Sequence, residues 1–114
     1  MPEMTLVDSV NDALHTAMDD DDRVVVYGGS YGGYSAYWQL VQYPALYDGG
    51  IAPVGVTDLR DMYENTMAHF RTELLEKNLA MPAENPDLYE ERSPVTHVEN
   101  LAAPLLILHG LNDR

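Results

Sequence analysis

A serine and the glycines around it are the residues with the clearest chemical potential. Gly28, Ser30 and Gly32 form a G-x-S-x-G pattern, which is typical of a sharp strand-to-helix turn that exposes a serine hydroxyl as a nucleophile. Glycines two places before and after the serine allow the strand and the helix to approach without a Cβ clash. The amide of Tyr31, at the helix start, can then stabilise a developing oxyanion. The pattern predicts nucleophilic attack by Ser30 on a carbonyl carbon.

The segments on either side of Ser30 meet the requirements of such a turn. The apolar run 24–27 is typical of a strand that is covered on both faces, as in a parallel sheet. Aromatic and apolar residues at three- and four-residue steps predict a helix that ends at Tyr43, before Pro44. A phosphate-binding loop is disfavoured, because neither the P-loop ending nor the G-x-G-x-x-G spacing occurs. The alternative is a purely structural glycine-rich turn in which the serine has no chemical role.

A serine nucleophile needs a base, and the base needs an acid that orients it. Asp113 is the candidate acid because it follows the apolar run 104–108. If that run is a strand parallel to 24–27, Asp113 and Ser30 leave the same edge of the sheet. A loop-capping role fits Asp113 equally well on spacing alone. None of the four histidines follows the acid, as the base does in this order of residues, and His109 is expected to be a packed structural residue.

Strands alternate with helices along the chain, which predicts an α/β fold with a parallel sheet. Residues 5–18 show the apolar spacing of an amphipathic helix. Thr5 and Asp8 resemble a capping box at its start. The remaining predicted segments are a turn over 19–22, a strand over 51–56, a broken helix over 59–79, and loops around a short helical turn over 81–100.

Composition excludes several classes of function. The 114 residues include 19 acidic and 6 basic side chains, a net charge of -13, so nucleic acid is not an expected partner. No cysteine is present, and the histidines lack the short spacing of a zinc site, so no metal site is expected. No apolar run reaches the roughly 18 residues of a membrane span, and no basic-then-apolar stretch of the kind found in signal peptides opens the sequence. A cytoplasmic protein is expected.

The acidic excess has two interpretations. It can be an ordinary solvated surface that aids solubility, or an adaptation to high salt, in which self-repulsion is screened. A halophilic protein would melt at a higher temperature as KCl rises.

Five segments along the chain carry a family resemblance. They are GGSYGGY (28–34), GVTDL (55–59), MYEN (62–65), ERSPVTHV (91–98) and PLLILHGLND (104–113). Together they resemble the catalytic domain of the prolyl oligopeptidase family, within its acylaminoacyl-peptidase and dipeptidyl-peptidase-like branch. The resemblance runs from about residue 5 to the last residue.

The resemblance implies an α/β-hydrolase fold without cofactors. It makes Ser30 the nucleophile, Asp113 the triad acid and Tyr31 the residue whose backbone N–H lines the oxyanion hole. It places residues 54–63 near the S1 pocket and makes His97, like His109, structural. In this family the catalytic domain is usually preceded by a β-propeller, which restricts access to short peptides.

Departures from the family pattern define the expected domain. Residues 1–114 are interpreted as a partial catalytic domain of central parallel strands and helices. It would lack the upstream strands, any β-propeller and the C-terminal segment with the catalytic histidine, so this chain alone is expected to be inactive.

The predicted function is a serine-type peptidase that acts on short peptides, with no membrane partner. The alternatives are an esterase or lipase of the same fold, which residues 57–65 disfavour, or an inactive remnant. The sequence does not fix the oligomeric state.

Overall fold

Three parallel strands form the sheet of the computed structural model, which describes residues 3–113. They are β1 (Val25–Tyr27), β2 (Gly49–Pro53) and β3 (Leu105–Leu108), in the spatial order β1-β2-β3. The predicted α/β fold with a parallel sheet is confirmed. The second strand was expected over 51–56 but begins at Gly49 and ends at Pro53, because Val54 has a φ of 49° and leaves the extended conformation.

One helix packs on one face of the sheet. Helix α2 (Tyr31–Gln42) follows β1, as predicted, and its buried Ala36 and Tyr37 pack on Ala52 of β2. Gly50 lies beside this contact, where an added Cβ would be 2.4 Å from a methyl group of Leu40. The missing side chain therefore allows α2 to lie close to the central strand.

The opposite face of the sheet is open among the described residues. Val25 and Tyr27 on β1 are more than half exposed, and so are Leu106 and Leu108 on β3. The apolar strand runs are typical of strands that are covered on both faces, and a partial domain is expected to leave much of one face uncovered, which is what residues 3–113 show. The side chains have the composition of a covered face, and no described element packs on it.

Helix α1 (Leu6–Asp20) begins with the predicted capping box. The amide of Asp8 donates to the Thr5 hydroxyl at 3.1 Å, and the Thr5 amide donates to the Asp8 carboxylate at 3.3 Å. The predicted turn over 19–22 is wrong in part, because the helix continues to Asp20 and is followed by Asp21, whose carboxylate accepts hydrogen bonds from Arg23. No residue of α1 is buried.

The segment between β2 and β3 is built of short helices around a second core of Leu59, Leu75 and Tyr89. The broken helix predicted over 59–79 is confirmed. Residues 81–100 are more helical than predicted, since prolines start two further turns. None of the helices described within residues 3–113 is long and apolar enough to cross a membrane. The helices of this segment are α3 (Leu59–Asn65), α4 (Ala68–Phe70), the π-helical Arg71–Glu76, α5 (Lys77–Leu79), α6 (Pro86–Glu91) and the 3₁₀ helix Pro94–Asn100.

Candidate active site

Ser30 occupies a strained turn between β1 and α2. Its φ of 58° and ψ of -119° lie outside the regions that a residue with a side chain normally occupies. The Ser30 amide donates to the carbonyl of Pro53 at 3.1 Å, and its carbonyl accepts from the amides of Gly33 and Tyr34 at 2.9 and 3.1 Å. These backbone bonds hold the strained conformation in place, and the residue itself is exposed.

The glycines around Ser30 do not share one role. A Cβ on Gly28 would lie 2.1 Å from the carbonyl oxygen of Gly32, and one on Gly33 would lie 2.6 Å from the Cα of Gly55. A Cβ on Gly32 would meet no described atom within 4 Å. The expectation that both flanking glycines prevent a clash is therefore right for Gly28 and wrong for Gly32. The close contact is made by the backbone of Gly32.

The amide of Tyr31 lies at the start of α2 without a hydrogen-bond acceptor within residues 3–113. The next amide, that of Gly32, is already used by the carbonyl of Gly29 at 2.9 Å. First-turn amides of a helix lack partners within the helix and carry a partial positive charge. The Tyr31 N–H can therefore bind negative charge that develops beside Ser30.

A cleft of about 1130 Å³ opens beside Ser30. It is lined by the serine, by Tyr31 and Asp113, and by apolar side chains of the helical segment such as Met67 and Phe70. Because β1 and β3 are parallel members of one sheet, their carboxyl ends meet at the same edge. The structure thus places all three predicted site residues along one cleft.

Asp113 lies in a tight turn beyond β3. Its amide donates to the carbonyl of Gly110 at 3.1 Å. Its carboxylate oxygen lies 3.7 Å from Nε2 of His109, and the two side chains are 41% and 44% exposed. The expectation that His109 is packed is therefore wrong, because the strand ends at Leu108 and releases His109 into the cleft.

The three other histidines lie outside the cleft. Nε2 of His97 is 2.8 Å from the carbonyl oxygen of Glu91, and its ring meets that of Trp38 edge-on at 5.6 Å. This is the structural role that the resemblance implied. The ring of His69 lies 4.2 Å from that of Phe70 and is tilted by 38° to it, and His15 lies on the exposed helix α1. Neither is among the residues that line the cleft with Ser30.

Aromatic side chains extend from the serine along α2. The rings of Tyr31 and Tyr34 stack at 5.7 Å, and those of Tyr34 and Trp38 at 6.3 Å. The Tyr34 hydroxyl donates to the carbonyl of Arg92 at 2.8 Å. Burial, reinforced by the neighbouring Tyr31, raises the pKa of Tyr34, so the hydroxyl keeps its proton and remains a donor. This bond joins the serine's helix to the opposite wall of the cleft.

Two residues of the cleft were not predicted individually as site residues, although the resemblance placed Val54 within the segment 54–63 near the S1 pocket. Val54 has a positive φ of 49°, an outlier for a β-branched residue, and its amide donates to the carbonyl of Leu108 at 2.7 Å. A proline before it and a glycine after it are the only local hints. Arg92 lines the cleft because of a contact across 58 residues of sequence, which periodicity does not reveal.

Within the described part of the chain, no three histidine, aspartate or glutamate side chains come together as ligands for a metal ion.

A parallel sheet with a serine on a strained strand-to-helix turn defines an α/β-hydrolase, and the solved structures that this chain resembles are peptidases of that fold. The prolyl oligopeptidase family matches residues 6–114. The chain belongs to that family.

The matches to individual relatives span nearly all of this chain but only a small part of each relative. Dipeptidyl aminopeptidase BIII of Pseudoxanthomonas mexicana is 31% identical over 112 residues, which are 95% of this chain and 16% of that protein. A puromycin-hydrolyzing peptidase of Mycobacterium tuberculosis is 27% identical with a TM-score of 0.74, over 93% of this chain and 16% of that one. The acylaminoacyl peptidase of Pyrococcus horikoshii is 27% identical with a TM-score of 0.71, over 90% and 17%.

Proposed function

We propose that this chain carries the nucleophile and the acid of a serine peptidase that hydrolyses peptide bonds of short peptides. The observation that supports this most is the strained, exposed Ser30 at the edge of a cleft that Asp113 also lines. Backbone strain at a serine is retained only where surrounding bonds enforce it, and such positions cluster at active sites. Membership of this peptidase family supports the same role, nucleophilic catalysis by Ser30.

The geometry supports a separate role in the reaction for each of these residues. The Ser30 hydroxyl attacks the substrate carbonyl and gives its proton to a histidine. The tetrahedral oxyanion then accepts a hydrogen bond from the Tyr31 amide, which has no acceptor within residues 3–113. Asp113 orients the histidine and stabilises its protonated form. The histidine returns the proton to the leaving amine, and water completes the reaction by the reverse sequence.

We assign the base to a histidine outside these 114 residues. Three of the chain's histidines do not line the cleft. His109 does, but its Nε2 lies 3.7 Å from the Asp113 carboxylate, beyond hydrogen-bond distance, and it precedes the acid in the sequence, whereas the base follows the acid in this fold. The active polypeptide is then longer than this chain, with residues 1–114 as the central part of its catalytic domain. The small share of each relative that this chain covers, 16% for the aminopeptidase from Pseudoxanthomonas mexicana, supports that proposal.

The names of the relatives support an amide substrate rather than an ester. Their names describe a dipeptidyl aminopeptidase, an acylaminoacyl peptidase and a puromycin-hydrolyzing peptidase. An apolar cleft wall with Met67, Phe70 and Leu74 gives a bound side chain a surface to pack on. We therefore propose a peptide with an apolar residue beside the bond that is cleaved.

Hydrolysis assays test this proposal directly. The protein expressed from its complete source gene should hydrolyse aminoacyl nitroanilides as well as the more reactive nitrophenyl esters of matched acyl groups. The variant Ser30→Ala should lower kcat by at least about a thousandfold, because it removes the nucleophile. Ser35→Ala, a matched change one turn along the same helix, should keep the wild-type rate. Turnover that survives Ser30→Ala refutes the nucleophile, and hydrolysis of the esters without hydrolysis of the nitroanilides refutes the peptidase.

A further inference from the structure

Arg92 holds a fixed place on the wall of the cleft that faces the serine's helix. Its carbonyl accepts from the Tyr34 hydroxyl at 2.8 Å, and its amide donates to the carbonyl of Leu88 at 2.9 Å. The next residue, Ser93, is buried and bonded to the amide of Leu59 and the carbonyl of Tyr89. The main chain that carries the guanidinium is thus held on both sides.

The guanidinium of Arg92 itself is largely unused. It donates no hydrogen bond within residues 3–113, and its one ionic contact is Nε to the Glu91 carboxylate at 3.6 Å. These side chains are 49% and 64% exposed, and exposed pairs of this kind contribute little stability. A guanidinium presents its donors in a planar fork that matches the two oxygens of a carboxylate. The group is available to a ligand in the cleft.

Charge makes this position selective within the cleft. Arg92 is the only arginine or lysine among the described residues that line it. The acidic residues that line the cleft repel a substrate carboxylate, whereas Arg92 attracts it. The acidic residues that line the same cleft are Asp58, Asp61, Glu64 and Asp113.

The separation between the main chains of Ser30 and Arg92 suits a short peptide. The Tyr34 amide bonds the Ser30 carbonyl at 3.1 Å, and the Tyr34 hydroxyl bonds the Arg92 carbonyl at 2.8 Å. Arg92 is therefore separated from the turn of the nucleophile by one tyrosine side chain. Two or three extended residues, at about 3.3 Å each, cover such a separation.

We infer that Arg92 forms a subsite for a carboxylate of the peptide substrate, two or three residues from the bond that is cleaved. The inference rests on the proposed function and narrows it to short peptides that carry a negative charge at that distance. The carboxylate is either the free C-terminus or an acidic side chain, since both present the same two oxygens.

A comparison of three peptides tests the inference in the protein expressed from its complete source gene. The peptides share one cleavable bond and end in a free carboxylate, in a C-terminal amide, or in the amide with glutamate as the last residue. The measured quantity is the ratio of kcat/KM for each acidic peptide to kcat/KM for the neutral amide. We expect about a fivefold preference for at least one acidic peptide, the size of an exposed ion pair. The arm that shows it identifies the C-terminus or the side chain as the source.

Variants assign the preference to its residue. Arg92→Gln should reduce the ratio to about 1, and Arg92→Lys should keep part of it. Arg60→Gln removes the same charge from an exposed position that does not line this cleft, so it should keep the wild-type ratio. No preference in the wild type, or a preference that survives Arg92→Gln, overturns the subsite. Covalent labelling of Ser30 by a fluorophosphonate is measured in parallel, and its absence overturns the proposed function and the subsite together.

Discussion

At the scale of single residues, the site depends on the absence of a side chain at Gly28 as well as on the hydroxyl of Ser30. The Ser30 backbone is strained, and the helix start lies so close to β1 that a Cβ on Gly28 would be 2.1 Å from a backbone oxygen. A backbone atom cannot move aside as the end of a flexible side chain can. The close approach and the strain are therefore two aspects of one rigid turn.

Exchange of two glycines tests this account of the turn. Gly28→Ala should displace the helix start, destabilise the protein by about 2 kcal/mol or more and abolish labelling of Ser30. Gly32→Ala should retain labelling and stabilise the protein by up to about 1 kcal/mol, because alanine favours the helix and its Cβ meets open space. Urea unfolding and probe labelling measure both effects. Equal behaviour of the two variants would contradict the assignment of separate roles.

A titration tests a second local feature, the pair of Asp21 and Arg23. Hydrogen bonds from Arg23 lower the pKa of Asp21 from 3.8 to about 2. Because the pKa is lower in the folded chain, the pair's contribution is present above pH about 4 and is lost as the pH falls through 2. Carboxyl carbon shifts in NMR spectra should give this midpoint, and Arg23→Gln should return it toward 3.8. A wild-type midpoint near 3.8 would show that the pair does not form.

At the scale of elements, sequence periodicity predicted the parts that are local and missed those that are not. The capping box of Thr5 and Asp8, the helix after Ser30 and the parallel strands follow from neighbouring residues, and all are present. Prolines suggested loops over 81–100, yet two of them start helical turns. The contact between Tyr34 and Arg92 joins residues 58 apart. No local pattern encodes such a contact.

Ser93 connects three of these elements, which gives a prediction for stability. Its hydroxyl donates to the carbonyl of Tyr89 at 2.7 Å and accepts from the amide of Leu59 at 2.9 Å, in a buried position. Ser93→Ala leaves both backbone groups without a partner and should cost about 1–3 kcal/mol. Ser9→Ala, on the exposed helix α1, should change the free energy of unfolding by less than about 0.5 kcal/mol. Similar values for the two variants in urea unfolding would contradict the proposed connection.

At the scale of the whole molecule, apolar surface and net charge oppose each other. One face of the sheet presents Val25, Tyr27, Leu106 and Leu108 to solvent, and exposed patches of this kind favour association. A net charge of -13 opposes association at low salt, and salt screens that repulsion.

Light scattering tests which effect dominates. The 114-residue chain by itself should associate at micromolar concentration, and more strongly as KCl rises. Leu106→Lys should weaken association because it charges the open face. Leu111→Lys, at a fully exposed position beyond β3, should not. A monomer that melts cooperatively in all salts would contradict the account of the open face.

Covalent labelling of Ser30 tests the central claim most directly. Lysate of the source organism is treated with a fluorophosphonate, and the labelled polypeptide that contains this sequence is identified by its mass and by its modified peptide. The account predicts a single adduct on Ser30, in a polypeptide well above 12.7 kDa, and no adduct in Ser30→Ala. A polypeptide that contains this sequence, remains unlabelled and has a mass of 12.7 kDa would contradict the claim that Ser30 is an active nucleophile.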